Sequence, residues 1–259
     1  MPRLEALRAD FGVLRAMLRG IPQGGSHAQN LQGFYSAQAE DYDRFRERLL
    51  RGREQLSARL VAQLPPRARI VELGGGTGRN LDFFGERLRD VAGFDLVDLC
   101  PALLDRARVR IARHPQVRMI EADATTWRPD VPVDCVYFSY ALTMIPDWRA
   151  ALANARAMLK PDGLLGVVDF YTSAPRPAPG LVRHNAFTRQ FWPRWFGHDG
   201  VRLDPAHLAA LRELLPRHEL SEHRAAVPYL PLIRVPYYVF VGRKPLPSLH
   251  SGPGQSLPG

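Results

Sequence analysis

The sequence predicts an α/β fold: a mostly parallel sheet covered by helices on both faces and preceded by a helical N-terminal cap. Three observations predict it. Seven short apolar runs between Arg69 and Val241 are separated mainly by helix-like stretches, the pattern of strands joined by crossover helices. A glycine-rich turn, Gly74-Gly75-Gly76-Thr77-Gly78, separates the first of those runs from a helix-like stretch. At 259 residues the chain is long enough to bury a sizeable core as one domain with elaborations.

The elements follow in order. In residues 1–20, Leu4, Leu7, Phe11, Leu14 and Leu18 recur at spacings of three and four, flanked by Arg3, Arg8, Arg15 and Arg19. This amphipathic helix either packs on the domain or lies in a lipid interface with its arginines on phosphates. Ser26 is placed to cap a second helix through Tyr42, on which Tyr35 and Tyr42, seven apart, share one face. A third helix spans Arg53–Gln63, and Pro65-Pro66 ends the cap of residues 1–64. The core, residues 65–243, then reads strand 69–73, helix 79–87, strand 91–95, helix 101–113, strands 117–121 and 133–138, helix 147–159 and strand 163–170, with a turn at Pro161-Asp162-Gly163. Residues 171–204 interrupt the pattern with a Pro-rich loop and then Phe187-Thr188-Arg189-Gln190-Phe191-Trp192-Pro193-Arg194-Trp195-Phe196, a lid touching lipid or a satellite apolar cluster. Asp204-Pro205 opens a helix to about Leu215. Runs 220–227 and 235–241 close the sheet, and the Pro, Gly and Ser of residues 244–259 have little to bury and are expected to be disordered.

Composition narrows the function classes. No run of 18 apolar residues exists, which argues against a membrane span, and the charged N-terminal stretch is unlike a signal peptide. Cys100 and Cys135 fall at core positions and are expected to be reduced and inert, in a cytosolic protein; the scattered His residues suggest no metal site. The formal charge of +9 suits nucleic acid, an anionic membrane surface or an acidic substrate, or is a solvated arginine-rich surface.

The glycine turn narrows them further. Glycines there let a ligand approach the backbone and leave N–H groups free at a helix start, so a nucleotide-like ligand is expected at the C-terminal edge of the sheet. The dinucleotide pattern GxGxxG is absent, because its third place holds Arg79 or Leu81, and no GK[ST] follows to make a P-loop. What remains is Glu72, Gly74, Gly76 and Gly78 in the pattern ExGxGxG, which resembles the first motif of the class I S-adenosylmethionine (SAM) methyltransferases. Asp95, 17 residues after Gly78 and read as the end of the second strand, is expected to take the ribose hydroxyls with Leu96 beside it. The resemblance gives Asp123, with Ala124, the adenine amino group; it adds Thr77, Ser139 and Tyr42 to the cofactor contacts, with the tyrosine-bearing helix closing over the SAM.

Longer stretches are more selective. Ser139-Tyr140-Ala141-Leu142-Thr143-Met144-Ile145-Pro146, Asp98-Leu99-Cys100-Pro101, Asp169-Phe170-Tyr171, Phe187-Thr188-Arg189-Gln190-Phe191-Trp192 and Val235 to Lys244 together resemble the methyltransferase of betaine-lipid synthesis, over about Arg3 to Lys244. The resemblance implies a Rossmann-like SAM-methyltransferase fold with a seven-stranded sheet and an antiparallel last strand. It implies three N-methylations of diacylglyceryl-homoserine to diacylglyceryl-N,N,N-trimethylhomoserine, with a separate 3-amino-3-carboxypropyl transferase supplying the substrate. The enzyme would be cytoplasmic, peripheral on an anionic membrane surface. An aromatic cage for the cations is expected from Tyr35, Tyr42, Tyr140 and Tyr171. Asp169 would hold the amine or act as a structural turn acid. Arg183, His184 or Arg189 would hold the substrate carboxylate, with Trp192 beside them. The fourth strand is followed by Phe-Ser-Tyr-Ala (138–141), not the [DN]-P-P-[FY] usual for methylating base amines, so a nucleic-acid partner is not expected.

Overall fold

A computed structural model describes residues 49–197, 200–227 and 230–246. The expected helices before Leu49, with Tyr35 and Tyr42, and most of the expected disordered tail lie outside the described residues.

The described chain builds one seven-stranded sheet of order β3-β2-β1-β4-β5-β7-β6, from β1 (Arg69–Leu73), β2 (Gly93–Asp98), β3 (Val117–Glu121), β4 (Val133–Ser139), β5 (Leu159–Phe170), β6 (His218–Val227) and β7 (Leu230–Arg243). Strands β1 to β5 pair in parallel, and β7 runs antiparallel to both β5 and β6. The reversal of order beside β1 opens a crevice at the C-terminal strand ends.

Among the described residues the sheet is covered by α1 (Arg53–Val61), the long 3-10 segment Arg79–Asp90, α2 (Pro101–Ile111), α3 (Trp148–Met158), α4 (Ala186–Gly197) and α5 (Ala206–Leu214), and a 3-10 turn, Leu142–Met144, follows β4. Alternation along the strands divides the core between the two faces. Ile70, Cys135 and Tyr137 pack with Leu56 and Leu60 of α1, Leu104 of α2 and Trp192 of α4. Val71, Leu73, Val136 and Phe138 pack with Ala151 and Leu152 of α3 and Leu211 of α5. A strand buried on both faces reads as a near-continuous apolar run, which is why β1 and β4 were legible.

Three elements differ from expectation. The stretch after the glycine turn is 3-10 rather than α-helical and breaks at Gly85. Strand β2 runs three residues past Asp95, to Asp98. The turn at Pro161-Asp162-Gly163 lies inside β5 as an irregularity, where the pairing with β4 jumps from Val133↔Leu159 to Cys135↔Leu164. Asp162 sits there at φ 63, and its carboxylate pairs with Arg217 and Arg243.

Candidate active site

The site grows from the end of β1. Backbone N–H groups of Gly74 and Gly75 both donate to the Val97 carbonyl, at 2.8 and 3.0 Å, which stitches the turn onto β2. Gly74 has φ 73, and a Cβ there would stand 2.4 Å from Cβ of Ala141, so glycine is required by conformation and by the approach of the β4 loop. Gly76 has φ 55 and its N–H donates to Asp98 Oδ2 at 2.7 Å. The other oxygen, Asp98 Oδ1, accepts from Cys100 N–H at 2.8 Å, just before Pro101 opens α2. One carboxylate therefore joins the glycine turn to the start of the next helix.

A cavity of about 310 Å³ opens over these groups, within the range of small-molecule sites. Its walls are Gly74 to Thr77 from the turn, Asp98 and Leu99 at the end of β2, Ala122 to Thr125 after β3, Ser139 to Ala141 at the end of β4 and Met144 to Asp147 beyond it, together with Leu50, Arg53, Arg79, Asn80 and Leu103. Asp123 Oδ1 accepts from the Thr125 N–H and hydroxyl, both at 2.7 Å, which shapes the β3 loop. Ser139 Oγ is buried without a partner among the described residues, a polar atom suited to a ligand. Tyr140 takes φ 54, unusual for a bulky residue, with its ring 4.6 Å from that of Phe170. Its hydroxyl donates to the Arg51 carbonyl at 2.6 Å, and burial holds its pKa well above that of a free phenol. Tyr140 thus offers the cavity a fixed ring, not a proton acceptor.

Glu72 lies beneath the turn, wholly buried, with Oε1 accepting from Asn80 Nδ2 at 2.5 Å. Burial pushes its pKa up to about 7, partly offset by the Asn80 bond. It steadies Asn80, which lines the cavity, while Glu72 itself does not.

Several expected residues stand elsewhere. Asp95 lies within β2, not at its end; its in-register neighbour on β3 is Arg118, whose guanidinium binds both carboxylate oxygens at 2.7 and 2.9 Å. Asp98 holds the strand-end position expected of Asp95, and Leu99 lines the cavity where Leu96 was expected. Leu96 is buried beneath the turn, where it limits the space at Gly75 and Gly78. Gly78, at φ 70, precedes the 3-10 segment outside the lining. The signal for Asp98 was present in Asp-Leu-Cys-Pro: Pro101 begins α2, so the strand ends just before it.

The residues expected to hold the acceptor separate. Asp169 is wholly buried and accepts from the Thr143 N–H and hydroxyl and from Phe170 N–H, so it anchors the loop after β4 rather than facing the cavity. Burial pushes its pKa up to about 7. Tyr171 donates its hydroxyl to Glu222 and packs edge-on against His184 and Tyr238, away from Tyr140. His184 Nδ1 accepts from Ser173 N–H at 3.0 Å, and burial lowers its pKa to about 4, so the ring is neutral and holds no carboxylate. Arg189 donates to the His184 carbonyl, Arg183 is exposed, and Trp192 is buried against Phe196. None of the described residues of 171–204 lines the cavity; α4 is part of the core, with Phe187 exposed at its start. Among the described residues, the cations that do line it are Arg53 and Arg79, which were not expected.

Comparison with known proteins agrees with this geometry. A family model described as a methyltransferase domain matches residues 42–222. Trans-aconitate 2-methyltransferase of Methylobacterium radiotolerans is 32% identical over 126 residues, 49% of this chain and 46% of that protein. The tRNA 5-carboxymethoxyuridine methyltransferase of Escherichia coli is 28% identical over 139 residues, 51% of this chain and 50% of that protein. The chain thus spans about half the length of the curated relatives it matches. Among solved structures, N-methyltransferase NodS from Bradyrhizobium japonicum in complex with S-adenosyl-L-homocysteine shares the fold, with TM-score 0.63 and 18% identity, covering 85% of this chain and all of that one. The glycine turn, the crevice beside β1 and the family match converge: the chain belongs to the methyltransferase domain family, with S-adenosylmethionine as its methyl donor.

Proposed function

We propose that the 310 Å³ cavity is the methyl-transfer site and that its acceptor is diacylglyceryl-homoserine, methylated three times on nitrogen to the trimethylated betaine lipid. One observation carries the choice of acceptor. The Ser139–Pro146 stretch, among the most selective parts of the resemblance to betaine-lipid methyltransferases, supplies Ser139, Tyr140, Ala141, Met144, Ile145 and Pro146 to the lining of the site.

The residues fit the cofactor. Gly76 brings backbone to the cavity without a side chain, Asp98 suits the ribose hydroxyls, and Asp123 with Ala124 suits the adenine. Bound SAM supplies an electrophilic methyl on a sulfonium. In-line transfer needs above all a held alignment, which a pre-set wall favours. The Tyr140 ring, fixed by its backbone and by the Arg51 carbonyl, supplies an aromatic face suited to a sulfonium or a growing ammonium. Met144, Ile145 and Pro146 add an apolar surface that limits water.

In this reading the acceptor comes from a separate 3-amino-3-carboxypropyl transferase, and the enzyme works peripherally on the cytoplasmic face of an anionic membrane. No helix among the described residues is long and apolar enough to cross one. The relatives named for trans-aconitate, with two guanidiniums in the cavity, favour a second reading, methylation of a small carboxylate to its ester. Lipid mass spectrometry of a betaine-lipid-free bacterium expressing this chain, with and without the aminocarboxypropyl transferase, separates the two. Trimethylated lipid only with both proteins is expected. Unmethylated diacylglyceryl-homoserine accumulating beside folded, SAM-binding protein would refute the lipid acceptor.

A further inference from the structure

Helix α4 divides its rings between two faces. Trp192 and Phe196 are buried in the core beneath the helix. Phe187, Phe191 and Trp195, at spacings of four, lie along another face. Their rings stack in a row, with centroids 5.1 Å apart between Phe187 and Phe191 and 5.6 Å apart between Phe191 and Trp195. Phe191 and Trp195 are half-buried, whereas Phe187 is 58% exposed and Val182, just before the helix, is 40% exposed. A row of rings open at its end leaves apolar surface in water that a partner would cover. The surrounding chain has one sign of charge. Residues 171–197 carry Arg176, Arg183, Arg189 and Arg194 and neither Asp nor Glu, in a chain with 26 acids. Arg176, Arg183 and Arg194 are exposed, and Arg189 turns inward to the His184 carbonyl. Glu222 of β6 reaches the segment from the sheet, but its carboxylate accepts from the Val182 N–H and the Tyr171 hydroxyl. A run of rings joins this face to the methyl-transfer cavity. Phe191 packs edge-on against Trp192, Trp192 stacks on Phe196 and Phe196 on Phe170, and Phe170 lies 4.6 Å from the Tyr140 ring that lines the cavity.

We propose that the outer face of α4, with Phe187, Phe191 and Trp195 flanked by Arg183 and Arg194, seats the protein on an anionic phospholipid bilayer. Rings enter the interfacial layer of a bilayer, and guanidiniums meet its phosphates at the same level. Rings alone would suit any apolar partner and cations alone any polyanion; both together fit a surface that is apolar within and anionic at its rim. The proposal rests on the lipid acceptor read above and adds the surface that brings the enzyme to it. It gives the aromatic insertion a role other than a lid, since its described residues stay outside the cavity. The run of rings ties the seat to Tyr140, so the docked protein holds that wall of the cavity near the bilayer that carries the acceptor.

Vesicle flotation of the full chain tests it. Wild type is expected to float with vesicles of phosphatidylcholine and phosphatidylglycerol in equal parts, and far less with phosphatidylcholine alone. Phe187→Ser should weaken binding to the anionic vesicles about tenfold, the effect of withholding one largely exposed ring from the lipid. Arg183→Gln/Arg194→Gln should also weaken it about tenfold and flatten its dependence on salt. Both variants should melt like wild type and bind S-adenosylhomocysteine equally, since none of the three side chains lines the cavity. Variants that float like wild type, or a wild type that floats with neither vesicle, would overturn the proposal. So would sedimentation without vesicles that shows a dimer in wild type and a monomer in Phe187→Ser, which would assign the face to a second copy of the chain. The lipid acceptor fails separately: protein that floats as expected yet methylates no lipid upholds the seat and refutes the acceptor.

Discussion

Asp98 gives the sharpest test of the site. Its two oxygens accept from Gly76 N–H at 2.7 Å and Cys100 N–H at 2.8 Å, and it lines the cavity although almost wholly buried. Asp98→Asn keeps the size and removes the charge. A hydrogen bond to a charged acceptor is worth about 1.5–3 kcal/mol and a neutral one about 0.5–1.5, so two ribose contacts lose roughly 2–3 kcal/mol together. That corresponds to about 30- to 150-fold weaker binding of S-adenosylhomocysteine. An amide presents one acceptor and one donor, so either Gly76 or Cys100 N–H also loses its partner, and unliganded stability should fall by about 1–3 kcal/mol. Calorimetric titration reads the first effect and urea denaturation the second. Asp95→Asn is the control: its partner Arg118 is 61% exposed, so the pair is worth no more than about 1 kcal/mol, and ligand affinity should stay within about twofold of wild type. The reasoning is refuted if Asp98→Asn binds within about threefold of wild type, or if Asp95→Asn loses as much.

The two tyrosines after β4 and β5 should behave differently. Tyr140→Phe removes the donor to Arg51 and should cost about 1–2 kcal/mol of stability and slow methyl transfer to the proposed lipid. Tyr171→Phe, whose hydroxyl serves Glu222 outside the cavity, should leave turnover unchanged; a folded Tyr171→Phe protein with no turnover would place the acceptor elsewhere. Glu72 should shape the pH dependence of stability. Its pKa is raised from 4.5 to about 7 in the folded protein, so the unfolded chain gives up the proton first as pH rises. The stability Glu72 contributes is fully present below about 4.5 and is lost as pH climbs through about 7. Glu72→Gln should flatten that part of the melting-temperature profile; identical profiles for the two proteins would exclude a raised carboxyl.

What the sequence determined by itself was the scaffold. Apolar runs separated by helix-like stretches are a local signal, and so is a turn whose Gly74 and Gly76 take left-handed angles; both were legible, as were the loops after β3 and β4 that line the cavity. Tertiary structure decided which polar side chain at each strand end faces the ligand. Asp95 and Asp98 differ in sequence only by position, but register with β3 sets Asp95 against Arg118 and leaves Asp98 at the edge. Asp169, Tyr171 and His184 looked reactive in sequence and are consumed by Thr143, Glu222 and Ser173. Arg53 and Arg79 carried no motif, yet packing of α1 beside the 3-10 segment brings both onto Phe83. Backbone conformation follows from neighbours in the chain, whereas a side chain's partner comes from residues distant in sequence, so the frame could be read in order and the allocation of its charges only in three dimensions.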